Sequence, residues 1–177
     1  MKWKYVYIAF IMLLLAILQT SVFSRFFDIT PQIVLVFVCL MAYFRGNPAG
    51  MALGLTGGLY LDFVMGRAIG FYGLVYMLGG FIIGFFPRKN IRDNFFIILL
   101  IIMAVIVPLD ILIYFAKKIS SFFSMGMQGF TINLGMAFKE EFLPKILNNG
   151  IVYIPLYFIC KKLDKYIDRD KKLMDSF

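Results

Sequence analysis

Apolar residues fall into six blocks separated by short polar stretches: Tyr5–Phe23, Pro31–Phe44, Pro48–Met65, Ala68–Phe86, Phe95–Phe115 and Ile146–Cys160. Most of these blocks approach the roughly 20 apolar residues that carry a helix across the ~30 Å hydrocarbon layer of a bilayer. The expected fold class is therefore an all-α membrane protein with about six transmembrane helices in a compact bundle. The second block is short, about 14 residues or roughly 21 Å of helix. It needs either local bilayer thinning or neighbours that shield its ends. Thr30 followed by Pro31 predicts an N-cap with proline at the first helical position.

Residues 1–160 are expected to form one six-helix domain. The mixed stretch 117–145, with Phe122, Phe123, Met125, Met127 and Phe130 among polar residues, predicts an interfacial segment on the outer side. Residues 161–177 predict a basic cytoplasmic tail in which Leu163, Tyr166, Ile167, Leu173 and Met174 recur at helical spacing. Lys2 and Lys4 ahead of the first block resemble a secretory leader, but the apolar stretch runs on to Phe23, which favours an uncleaved first span.

Charge orients the bundle. With the N-terminus inside, twelve of the 18 Lys and Arg lie on the cytoplasmic side and six on the outer side, so both termini are expected in the cytoplasm. The net charge of +8 thus reflects topology and does not suggest a nucleic-acid partner. Composition agrees: 62% of residues are apolar and 16% charged, where soluble domains run nearer 45–50% and about 25%.

The strongest internal pattern is Gly46, Gly50, Gly54, Gly58, Asp62 and Gly66, each four residues after the last. On a helix these share one face. Glycines there let another backbone come close, so the row predicts either packing within this chain or a groove for a partner's helix. Gly80 and Gly84 repeat the spacing in the fourth block, with Gly70 and Gly73 nearer its start. Asp62 is expected near the outer boundary, capping the fourth helix or pairing with Arg67. Asp110, two residues past Pro108, is expected to face the bundle interior, because an acid exposed to lipid is costly.

Catalytic chemistry finds no foothold. The chain has no His, which removes the commonest general base and metal ligand. Cys39 and Cys160 lie inside apolar blocks, without partners at metal-ligand spacing. There is no G-x-x-x-x-G-K-[ST] loop. Neither an enzyme nor a cofactor is expected.

The stretch Thr30-Pro31-Gln32, an apolar span, Tyr43-Phe44-Arg45-Gly46, then Gly50, Gly54, Gly57-Gly58-Leu59, Leu61-Asp62 and a glycine-bearing fourth span resembles MreD, the rod shape-determining membrane protein family. The resemblance is clearest over residues 30–90. It implies a non-enzymatic scaffold in the plasma membrane that binds the single transmembrane helix of MreC. MreB filaments, RodA and a class B penicillin-binding protein would be further partners in the elongation complex. It also implies a six-helix fold similar to the substrate-binding subunits of energy-coupling-factor vitamin transporters. That makes such a transport subunit the alternative function. Against the alternative, the loop Ser24–Thr30 is too short for a ligand lid, and Ala9 and Ala16 do not form the Ala-x-x-x-Ala face of those subunits. The family usually carries an acid where this chain has Gln32.

Overall fold

The structure, a computed structural model, describes residues 2–26, 29–65, 70–86, 94–124, 135 and 138–174. Its main helices are α1 (Lys2–Ile17), α2 (Ile33–Arg45), α3 (Asn47–Met65), α4 (Phe71–Gly84), α5 (Phe95–Ser124) and α6 (Leu143–Met174). A π-helical turn, Leu18–Phe23, and a short turn, Ser24–Phe26, extend α1, and a second π-helical turn, Phe138–Phe142, leads into α6.

Among the described residues, two helices hold stretches long and apolar enough to cross a membrane, Phe95–Ser120 and Phe138–Ile167. Tyr7–Phe23, α2 and α4 are apolar but shorter. The shortness of α2 has a packing explanation. Every residue from Ile33 to Phe44 is buried, at no more than 6% exposure. A helix that is apolar all round belongs in a core. Indeed α2 runs through the middle of the bundle, touching α1, α3, α4, α5 and α6. It meets protein on all sides, so its length need not match the bilayer.

Several boundaries differ from those expected. α2 starts at Ile33, with Gln32 at the N-cap making no side-chain cap bond to its own helix. Pro31 therefore precedes the cap instead of opening the helix. Two N–H groups at the start of α2, those of Gln32 and Val34, are met by side chains from elsewhere in the fold, so the local Thr-Pro signal is overridden by tertiary contacts. α5 continues past Phe115 to Ser124, taking residues 117–124 into the helix. Most of the remainder of the expected interfacial segment lies outside the described residues. α6 runs unbroken through Cys160 to Met174, so no backbone break separates bundle from tail. Leu163 is 8% exposed and Asp164 5%, and both belong to the packed face of that helix.

Candidate functional site

Two features stand out: a seam of bare backbone between α3 and α4, and a polar constellation at each end of α2.

The seam is antiparallel, and its register advances four residues at a time. A Cβ added at Gly50 would lie 2.8 Å from the Gly80 carbonyl oxygen. One at Gly54 would collide with the Tyr76 carbonyl, and one at Gly58 with the Tyr72 carbonyl. From the other side, a Cβ at Gly80 would meet the Gly50 carbonyl carbon at 2.5 Å, and one at Gly84 would run into Asn47. At Gly54, Gly58 and Gly80 only backbone is met, so no neighbouring side chain could move aside; at Gly50 the Ala42 Cβ, and at Gly84 the Asn47 side chain, stand in the way as well. In lipid, helices are held together by van der Waals packing and not by exclusion of water, and small residues make that packing close. The glycine row is thus filled by α4.

Asp62 ends the row and does a different job in the same seam. Its Oδ2 accepts hydrogen bonds from the N–H groups of Gly70 (2.9 Å) and Gly73 (3.2 Å), and its Oδ1 from Tyr72 N–H (3.1 Å). Asp62 is fully buried and caps the first turn of α4, placing a negative charge at the positive end of that helix. Arg67 and Gly66 lie outside the described residues. Gly46, although it keeps the four-residue spacing, is not part of the seam. It forms the one-residue link between α2 and α3 at φ 88°, a left-handed conformation that favours glycine. Its N–H donates to the Ala42 carbonyl at 2.7 Å, closing the end of α2.

The N-terminal end of α2 gathers residues from four helices. Gln32 N–H donates to Asn149 Oδ1 on α6 (2.8 Å), and Val34 N–H donates to Gln19 Oε1 in the π-helical turn after α1 (2.9 Å). These are the caps that Thr30 does not provide. The Gln32 side-chain Nε2 donates to Asp110 Oδ1 on α5, and Lys145 Nζ on α6 lies 3.1 Å from the same oxygen. A carboxylate can only accept, so the amide nitrogen of Gln32 is the atom that must face it. Asp110 is 2% exposed, and Gln19, Gln32 and Asn149 are equally buried within a few per cent. Beside them, Asn148 Nδ2 donates to the Ile29 carbonyl at 2.8 Å, fastening the preceding loop to α6. The expectation that Asp110 faces inward matches its burial.

The C-terminal end of α2 is simpler. Arg45 Nε lies 3.1 Å from Asp164 Oδ1 on α6, and its Nη2 donates to the Asp164 carbonyl at 3.3 Å. The charges suit the helix at both ends: a carboxylate near the N-terminus of α2, a guanidinium at its C-terminus. Close by, Tyr157 packs edge-on against Phe95 (5.0 Å between ring centroids) and beside Phe44 (6.1 Å), while Tyr153 Oη–H donates to the Phe95 carbonyl at 3.0 Å. This aromatic cluster ties the start of α5 to α6.

The sequence pattern brought forward Gly46, Gly50, Gly54, Gly58, Asp62, Gly80, Gly84 and Asp110. It missed Gln19, Asn149 and Asp164; it treated Lys145 only as a topology charge, and Arg45 as a topology charge and as part of the stretch that carries the family resemblance. Gln19 and the Asn148–Asn149 pair, polar residues inside apolar blocks, were the available signal. Among the described residues no group of three or more His, Cys, Asp or Glu could hold a metal. Cys39 and Cys160 are fully buried.

No curated protein and no solved structure matches the chain. The family model of the rod shape-determining protein MreD matches residues 1–167, and with them all six helices as far as the Arg45–Asp164 pair and beyond. The chain therefore belongs to the MreD family, membrane proteins of the machinery that determines rod shape.

Proposed function

We propose that this chain is a non-enzymatic scaffold of the cell-wall elongation complex, crossing the bacterial plasma membrane six times with both termini in the cytoplasm. Its partner is the single transmembrane helix of MreC, with MreB, RodA and a class B penicillin-binding protein in the wider assembly. One observation carries the docking site. The glycine face of α3 is occupied by α4, but a stripe of α3 is open, running from Leu55 and Leu59 at the edge of the seam beside Gly73 round to Ala52, Thr56 and Phe63. Ala52, Leu55, Thr56, Leu59 and Phe63 are all exposed there. Ala52 and Thr56, four residues apart, form a small-x-x-x-small pair on that stripe, the arrangement that admits a second helix closely in lipid. The Thr56 hydroxyl donates to the Ala52 carbonyl at 2.8 Å, so the stripe presents no unmet donor to lipid or to a partner. The seam behind it makes α3 and α4 a stiff plate.

Cysteines at Leu55 or Leu59 should cross-link in cells to a single-span protein identified as MreC. A cysteine at Leu61, which is fully buried, should not. Ala52→Leu should reduce the cross-link while leaving the bundle folded. Cross-links reaching only a large polytopic subunit, together with a copurifying vitamin, would establish the transport-subunit reading and remove the scaffold.

A further inference from the structure

We propose that the far end of α1 forms a binding site for the phosphate group of a membrane lipid. Beyond Ile17 the helix widens into the π-helical turn Leu18–Phe23, and the chain there frames an open groove of about 610 Å³ lined by Thr20, Ser21, Val22, Arg25 and Phe26. The turn has a structural cause, since it directs Gln19 inward to cap α2. Its consequence is that the following residues face outward together.

The chemistry of the lining is divided. Arg25 is exposed and has no ion pair among the described residues, and the Ser21 hydroxyl is exposed beside it. The Thr20 hydroxyl already donates to the Ala16 carbonyl at 3.0 Å, leaving Arg25 and Ser21 as the groove's donors. A guanidinium with a hydroxyl beside it suits a phosphate, which accepts several charge-assisted hydrogen bonds. The other walls are apolar: Val22 is 40% exposed and Phe26 80%. A phosphate on one side and an acyl chain on the other would satisfy both halves of the groove.

Depth supports a lipid as the source. On the reading proposed above, in which α1 crosses the membrane, the roughly 30 Å of helix from Lys4 to Arg25 equals the thickness of the hydrocarbon layer and puts Arg25 at headgroup level on the face opposite the N-terminus. This holds whichever side the N-terminus occupies, and it does not depend on the partner helix proposed above.

The test is native mass spectrometry of the full chain in detergent, titrated with dioleoyl phosphatidylglycerol, with dioleoylglycerol, which lacks the phosphate, and with sodium phosphate as competitor. Phosphatidylglycerol should be retained and dioleoylglycerol should not. Arg25→Gln should weaken retention about tenfold, as loss of a charge-assisted contact to phosphate predicts. Arg25→Lys should keep part of it, Ser21→Ala should cause a smaller loss, and Lys161→Gln, at the other end of the molecule, should cause none. Arg25→Lys and Ser21→Ala keep the inference testable if Arg25→Gln does not fold. Equal retention of both lipids, or retention unchanged in the Arg25 and Ser21 variants, overturns the site. Displacement of the lipid by millimolar inorganic phosphate would overturn the lipid assignment in favour of a free-anion site.

Discussion

Along the α3–α4 seam the helices meet through bare backbone, whereas at the two ends of α2 they meet through side chains recruited from distant parts of the chain. Both arrangements answer the same need, close helix association in a solvent as apolar as the helices themselves. The seam does it by subtraction, with glycine at Gly50, Gly54, Gly58 and Gly80 so that nothing stands between the chains. The ends of α2 do it by addition, with Asp110, Lys145, Gln19, Gln32 and Asn149 at one end and Arg45 with Asp164 at the other. The two fail differently. A side chain added to the seam pushes helices apart, while a side chain removed from the polar ends strands its partner in a place with little water.

The largest effect should come from stranding a charge. Asp110→Ala leaves the Lys145 ammonium, whose side chain is 13% exposed, without its carboxylate. Breaking one side of a buried pair costs about 3–5 kcal/mol, because the remaining charge is uncompensated. Unfolding in a detergent titration should show that loss, and the double variant Asp110→Leu, Lys145→Met should recover most of it. A double variant as unstable as Asp110→Ala would mean that the pair is not the source of the cost.

Next come the seam glycines. Gly54→Ala and Gly58→Ala place a methyl against the Tyr76 and Tyr72 carbonyls, which are backbone and cannot rotate away. Overpacking of this kind costs about 1–3 kcal/mol, and Gly54→Leu more. Gly57→Ala is the internal control. Its Cβ would meet Val34 Cγ1 at 2.9 Å and the Met12 sulfur at 3.0 Å, both on side chains that can adjust. Equal melting temperatures for the Gly54, Gly57 and Gly58 variants would remove the distinction between backbone and side-chain contact.

The same contrast explains what could be read from the sequence. The seam was legible because its logic is local: one helix carries the four-residue row, the next carries Gly80 and Gly84, and a short connection makes them neighbours. That the row would be filled by this chain's own α4 was one of two open readings, since spacing shows that a face is flat and not what lies on it. Asp62 as a cap for the fourth helix could be foreseen for the same local reason. The polar ends could not. Gln32 meets Asp110 across 78 positions and Asn149 across 117, and no periodicity links residues that far apart. Burial of α2 was signalled by its shortness, but the caps at its N-terminus come from α6 and from the turn after α1, so Thr30 and Pro31 pointed to the wrong device.

Smaller than the seam effect should be the loss of a remote cap. Gln19→Ala removes the acceptor for Val34 N–H, and Asn149→Ala the acceptor for Gln32 N–H. Interhelical hydrogen bonds in membranes contribute on the order of 0.6–1.7 kcal/mol each, less than an unpaired charge costs, because competing partners exist in the unfolded membrane state. Hydrogen exchange should show faster opening of the first turn of α2 in both variants, with the α3–α4 seam unaffected. Exchange spreading equally through α4 would show that the two regions are one cooperative unit.

The smallest effect belongs to the pair at the C-terminal end of α2, and its form is more telling than its size. Arg45 makes two contacts with one residue, Nε to the Asp164 carboxylate and Nη2 to the Asp164 carbonyl. Lysine has a single ammonium point and cannot reproduce that fork, so Arg45→Lys should lose about 0.5–1 kcal/mol even though the charge is kept. The Arg45 side chain is 18% exposed, which admits some water and salt. Raising ionic strength should therefore narrow the gap between Arg45 and Arg45→Lys proteins, whereas the gap between Asp110 and Asp110→Ala proteins, set at the more buried N-terminal end of α2, should barely move. The comparison needs only one set of melting curves at low and high salt. If both gaps close alike, the Asp110 cluster is as wet as the Arg45–Asp164 pair, and the contrast between the two ends of α2 is lost.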